Sequence, residues 1–152
     1  MEFFSENLPT ILTVTGLFMA IVLSGVGSAK GASMIGKAAA ALISEQPEKF
    51  GQSLILQMMS ASQGLYGFII GFFIFSHLGD DLTLTIALRC FTSGAIMGFA
   101  GYLTAIQQSM TATAGIQILA KKPEHSTKGV LYSAMIETFA IFAFVISVLI
   151  VL

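Results

Sequence analysis

The chain has 152 residues, 55% of them hydrophobic and only 10% charged, with a mean hydropathy of +0.88 and a formal net charge of -1. A soluble domain carries about 25% charged residues, so the composition excludes an ordinary water-soluble globule and points to lipid as the solvent. The net charge carries no nucleic-acid signature, and no basic patch with interleaved aromatics occurs.

The first helix is predicted over about residues 8–44. Leu8 to Ala29 contains 22 residues without a formal charge, and a spanning helix needs about 20 apolar residues. The segment before it carries Glu2 and Glu6 and no Lys or Arg, the reverse of a secretion signal. Gly16, Ala20, Ser24, Ser28, Ala32, Gly36, Ala40 and Ser44 recur every four residues. Small residues at that spacing let backbones approach closely in lipid, either within one chain or around a tight inner circle of many copies. At 1.5 Å per residue this helix is roughly 55 Å long, longer than the roughly 30 Å hydrocarbon core. Its end, with Lys30 and Lys37, is expected to protrude beside the same part of the third helix. "GASMIGKA" (Gly31 to Ala38) fits GxxxxGK, but Ala38 stands where magnesium needs Ser or Thr and no strand precedes it, which excludes a phosphate loop.

After "SEQPEKF" (Ser44 to Phe50), a second helix is predicted over about 50–77, within 30 uncharged residues from Phe50 to Gly79. Met59, Ser62, Gln63 and Tyr66 lie on one helical face. A polar stripe in a spanning helix must face partners. "HLGDDLT" (His77 to Thr83) precedes the third helix, about 82–120, which holds the 31 uncharged residues Cys90 to Ala120 and the pair Gln107-Gln108. Cys90 is the single cysteine, so no internal disulfide exists; it reads as a small apolar filler. "KKPEHSTK" (Lys121 to Lys128) precedes the fourth helix, about 126–151, where Gly129 to Leu152 holds 24 residues whose one charge is Glu137.

Basic residues cluster near the 1–2 and 3–4 loops: Lys30, Lys37, Lys49, Lys121, Lys122 and Lys128. Glu2, Glu6, Asp80 and Asp81 lie at the opposite ends with Arg89, whose guanidinium is expected to snorkel to the interface. The positive-inside rule then places both loops in the cytoplasm and both termini outside. Pro47-Glu48 and Pro123-Glu124 are 76 residues apart, as are Met34 and Met110, Ala38 and Ala114, and Met59 and Met135. The chain therefore reads as an all-α membrane protein of two tandem, duplicated helical hairpins in parallel, 1–76 and 77–152. At the same offset Glu137 falls opposite Ala61, so one ionisable group serves two hairpins.

A charge at mid-membrane costs about 2.5–3.5 kcal/mol on insertion scales, and such residues are usually functional. Glu137 has eight residues before it from Gly129 and fifteen after it to Leu152. Gln63 lies fourteen residues after Lys49, Gln108 thirteen before Lys121 and Glu137 nine after Lys128, so all three sit at comparable depth. Two readings stand. The carboxyl group and the amides hydrogen-bond between helices as a structural knot, or a carboxylate, two amide oxygens, a hydroxyl and a backbone carbonyl form an oxygen-rich cage of net charge -1. A hard monovalent cation neutralises such a cage, whereas a proton needs the carboxylate alone.

"SGVGSAKG", "AAAALISEQPEKFGQ", "SQGLYGFII", "AGIQILAKKPEH" and "MIETFAIFAFVIS" closely resemble the membrane rotor proteolipid (subunit K) of bacterial V-type ATPases, most of all the Na⁺-translocating type. The resemblance covers essentially the whole chain. It implies a homo-oligomeric ring in the bacterial cell membrane, a central stalk at the 1–2 and 3–4 loops, and a stator subunit with half-channels and an arginine. It implies one Na⁺ per subunit on Glu137, Gln63, Gln108, Ser62 and the Met59 carbonyl, with Tyr66 hydrogen-bonding the glutamate as a latch. ATP is hydrolysed in the soluble head, so no catalytic site is expected here. Ser62 stands where such proteins often have Thr, and a helix 2 proline often seen near the site is absent. The alternatives are the same rotor carrying H⁺, a stand-alone channel or secondary transporter, and a purely structural ring.

Overall fold

The computed structural model describes residues 2–79 and 81–152, with side chains from residue 6 onward. Asp80 and the side chain of Glu2, both assigned above to the outer side, lie outside the described residues. Four long apolar helices, each long enough to cross a membrane, account for most of the chain. The first, α1, comprises Glu2–Phe18, a π-helical segment Met19–Leu23 and Ser24–Glu45. α2 comprises Phe50–Met58 and Ser62–Phe75, α3 is Leu84–Lys121 and α4 is Ser126–Val151.

α1 starts upstream of the predicted residue 8 and carries Pro9 inside it, forgoing one backbone hydrogen bond. α3 starts at Leu84 because Thr83 caps it, accepting from the Ile86 amide at 3.3 Å. The two Pro-Glu turns match. Pro47–Lys49 and Pro123–His125 are single 3₁₀ turns, each preceded by a residue of nearly identical backbone geometry: Gln46 at φ -137°, ψ 71° and Lys122 at φ -144°, ψ 73°. Proline imposes an extended conformation on the residue before it, which ends the preceding helix. The duplication inferred from the sequence is thus repeated in the backbone.

Small residues set the helix spacing. A Cβ on Gly94 would lie 2.0 Å from the Gly16 carbonyl oxygen, and one on Gly27 would lie 2.6 Å from the Tyr102 Cα. Gly67 meets Ser24 and the Ala20 carbonyl, and Gly115 meets Gly129. The four-residue stripe of α1 divides. Gly16, Ala20, Ser24 and Ser28 are buried within the chain; Ala32 and Gly36 turn toward Gln57 of α2, and Ala40 and Ser44 are exposed. The cause is geometric. A spacing of four in a helix of 3.6 residues per turn rotates about 40° per step. The wider π-helical segment offsets that drift at Ala20 and Ser24.

Two apolar clusters fill the bundle. One gathers Ile35, Leu56, Ile116 and Leu119 near the Pro-Glu turns; the other gathers Ile70, Ile74, Met97 and Val151 at the far end. Between them lies a polar layer of fully buried Ser60, Gln63, Gln108, Ser109 and Ser133. "GASMIGKA" is continuous helix.

Candidate ion-binding site

α2 is interrupted at Met59–Ala61 without a proline. The cause is tertiary. In a regular helix the Gly64 amide would bond the Ser60 carbonyl; here it donates to Ser28 Oγ of α1 at 2.8 Å. The Met59 and Ala61 amides take short three-residue bonds to Leu56 and Met58. Among the described residues no backbone amide donates to the Met59 carbonyl; its hydrogen-bond donor is the Ser62 hydroxyl, at 3.4 Å. The break therefore leaves a backbone oxygen turned out of the helical ladder beside Ser62 and Gln63.

From that point a line of hydrogen bonds runs to Glu137. Ser62 Oγ lies 3.4 Å from Gln63 Oε1. Gln63 Nε2 donates to Gln108 Oε1 of α3. Gln108 Nε2 donates to Glu137 Oε2 of α4 at 3.3 Å, and Tyr66 Oη donates to Glu137 Oε1 at 2.8 Å. Both amides are fully buried, while Ser62, Tyr66, Met59 and Glu137 are half-buried. Tyr66 is held by its ring stacked on Phe144, centroids 5.0 Å apart. Ser133 Oγ donates to the Gln108 carbonyl at 3.3 Å and ties α4 to α3 at the same level.

Each site residue named from the sequence lies in this one cluster. Gln107, the neighbour of Gln108 in the sequence pair, lies outside it and is exposed. Ser28 and Ser133 are functional neighbours that the sequence pattern does not mark as site residues; Ser28 stands in it only as a small member of the stripe. A hydroxyl recurring at a buried position in lipid is the signal that marks it, since it must find a partner.

The cluster offers one carboxylate, two amide carbonyls, a hydroxyl and a freed backbone carbonyl. Hard cations take such oxygens. Among the described residues no group of three or more His, Cys, Asp or Glu could hold a metal ion, and Glu137 is the one acidic residue in this donor set. A half-turn of the Gln108 and Gln63 amides together exchanges Nε2 for Oε1 in each, keeps the bond between them with its direction reversed, and converts the donor that faces Glu137 into a second acceptor. The same side chain can thus stabilise the free carboxylate or coordinate a cation beside it.

The ATP synthase C-subunit family matches this chain twice, over residues 15–74 and 91–150. The chain belongs to that family. Its two family repeats begin 76 positions apart, the offset seen in the Pro-Glu turns. The chain is 51% identical over 148 residues, 97% of its length and 95% of the relative's, to the V-type sodium ATPase subunit K of Enterococcus hirae. It is 33% identical to the A-type ATP synthase subunit K of Methanocaldococcus jannaschii, over 93% of this chain and 62% of that one. Against the 16 kDa proteolipid of the human V-type proton ATPase it is 23% identical, over 92% of this chain and 90% of that one. Tandem helical hairpins in a membrane are what two repeats of this family require, and the four apolar helices supply them.

Proposed function

We propose that this chain is the Na⁺-carrying rotor subunit of a V-type ATPase. The observation that carries the reading is the convergence of Gln63, Gln108 and Tyr66 on Glu137, in a chain half identical to a sodium-ATPase subunit K. Identical copies, each with hairpins 1–76 and 77–152, form a ring in the bacterial cell membrane. The 1–2 and 3–4 loops face the cytoplasm and meet a central stalk turned by a soluble ATPase head; both termini lie outside. The chain itself performs no catalysis.

Na⁺ enters from one half-channel of a stator subunit and binds Glu137, Gln63, Gln108, Ser62 and the Met59 carbonyl. Tyr66 holds the carboxylate in place. The neutralised site turns through lipid, where an unpaired charge would cost several kcal/mol. At the second half-channel a stator arginine competes for the carboxylate and the ion leaves. Rotation and ion movement are coupled because the site cannot face hydrocarbon while charged. Carriage of H⁺ at the same carboxylate is the second reading, supported by the proton ATPases among the relatives.

The test is carbodiimide labelling of the detergent-solubilised ring near neutral pH, mapped by mass spectrometry. Carbodiimides attack a protonated carboxyl group. The expected result is labelling of Glu137 and protection by Na⁺ but not K⁺. Labelling that no Na⁺ concentration suppresses would leave only the proton reading and remove Gln63 and Gln108 as ligands.

A further inference from the structure

The site lies on the seam between the first hairpin, which supplies Gln63 and Tyr66, and the second, which supplies Gln108 and Glu137. In a ring of parallel, duplicated hairpins that seam recurs where the second hairpin of one copy meets the first hairpin of the next. We propose that this second seam is a degenerate ion site, plugged by Phe139 and Phe142 of one copy against Ala32 and Ala61 of its neighbour. The inference rests on the ring reading above.

The mapping is fixed by the offset of 76 in the family repeats and in the paired 3₁₀ turns. A contact within the chain becomes a contact between copies when the first-hairpin residue advances by that offset and the second-hairpin residue moves back by it. Gln63 and Tyr66 become Phe139 and Phe142; Gln108 and Glu137 become Ala32 and Ala61. All four lose their polar groups, Gln63 and Tyr66 to phenylalanine rings and Gln108 and Glu137 to alanine, while Ser62 maps onto Thr138 and keeps its hydroxyl. Gln63 is fully buried, yet Phe139 is 64% exposed, and Phe142 is 63% exposed at 6.3 Å from it.

Exposed phenylalanines alone would suit lipid, so the rest of the seam decides. One close backbone approach, Gly27 on Tyr102, maps onto Leu103 and Val26, both exposed in the single chain; with a Cβ on each, the helices stand farther apart at this point of the second seam. Gly101, whose Cβ would strike Ser24 at 2.7 Å, maps onto Gly25, which has nothing within 4 Å in the single chain. A glycine left open is accounted for by a neighbour's Ala100 closing on it. At the loop end, Lys49 Nζ donates to the Ala120 carbonyl at 3.0 Å; the mapped pair is His125 on the Ser44 carbonyl of the next copy. The α2 break gives an independent reason. Non-helical backbone at membrane depth is tolerated only where protein or a water-filled cavity covers it, and in the single chain Ala61 of that break is exposed. The mapped position of the aromatic pair covers it.

The experiment uses the purified ring of a Cys90→Ala chain. Val26→Cys and Leu103→Cys, combined in one chain and oxidised, are expected to give a ladder of covalent multimers on denaturing gels, with each single variant remaining monomeric. In the same ring without added cysteines, Phe139→Trp is expected to resist quenching by brominated lipid. Ile141→Trp is expected to be quenched, because Ile141 and its mapped partner Leu65 are both exposed. A ladder with Phe139→Trp quenched as strongly as Ile141→Trp overturns the plug. An intact oligomer by native mass spectrometry without a ladder, or dimers from Leu103→Cys alone, overturns the seam. Absence of any oligomer removes the ring reading itself and this inference with it.

Discussion

Gln108→Ala is the substitution that separates an ion cage from a structural hydrogen-bond knot. Gln108 is fully buried, donates to Glu137 at 3.3 Å and accepts from Gln63 Nε2. Alanine removes one oxygen from the proposed Na⁺ shell and leaves the Gln63 amide without its acceptor. Interactions with a charged partner contribute about 1.5–3 kcal/mol, so Na⁺ affinity should fall roughly 10- to 150-fold. The readout is the Na⁺ concentration that halves carbodiimide labelling of Glu137 in assembled rings. The midpoint should rise by that factor while labelling without Na⁺ persists, since the carboxyl group is still present. Gln107→Ala, at the exposed neighbouring position, should leave the midpoint unchanged. A shift for Gln108→Ala of less than about twofold, roughly 0.4 kcal/mol, would refute the amide as a ligand. Measuring assembled rings keeps any loss of stability apart from the loss of affinity.

Three further outcomes are expected. Tyr66→Phe keeps the ring stacked on Phe144 but removes the hydroxyl at 2.8 Å from Glu137; losing about 0.5–1.5 kcal/mol, the site should bind Na⁺ a few-fold more weakly and release it faster, seen as faster ²²Na⁺ dissociation from the ring. Gly94→Ala drives a methyl group to 2.0 Å from the Gly16 carbonyl oxygen and should lower stability by about 1–3 kcal/mol or more, whereas Gly51→Ala, with nothing within 4 Å, should not; thermal unfolding of the solubilised protein distinguishes them. Ser28→Ala leaves the Gly64 amide without its 2.8 Å acceptor; it should cost about 1–3 kcal/mol and also raise the Na⁺ midpoint, because the same contact holds open the break that turns the Met59 carbonyl outward.

Much of this protein is legible in its sequence because lipid tolerates so few exceptions. Uncharged runs long enough to span a bilayer mark four helices, and the Pro-Glu pairs mark where α1 and α3 must end. Gln63, Tyr66, Gln108 and Glu137 stand out because polar groups in hydrocarbon need partners, and the structure brings them together. The break at Met59–Ala61 leaves no comparable mark. Serine and alanine do not stop a helix as proline does, and the interruption depends on Ser28, more than thirty positions upstream, capturing the Gly64 amide. The π-helical segment Met19–Leu23 is hidden for a similar reason: it corrects the register of the small-residue stripe against two neighbouring helices, a demand that exists only once they pack. Local composition reports helices; it does not report a hydrogen bond exchanged between them.

The two irregular segments also show how the hairpins have divided their work. Both the π-helical segment and the break lie in the first hairpin, whereas α3 and α4 run without interruption. The second hairpin supplies the charge, on a straight helix that holds Glu137 at a fixed depth. In the proposed site the first supplies the backbone oxygen, the hydroxyl, the Gln63 amide and the latch, and to free that backbone oxygen it leaves the helical ladder. A break in both copies would expose twice the unpaired backbone to lipid, and a carboxylate in both would double the charge each turn must neutralise. Pairing unbroken helices that carry the charge and the Gln108 amide with a broken helix that carries the remaining oxygens confines the penalties to one carboxylate and one break per chain.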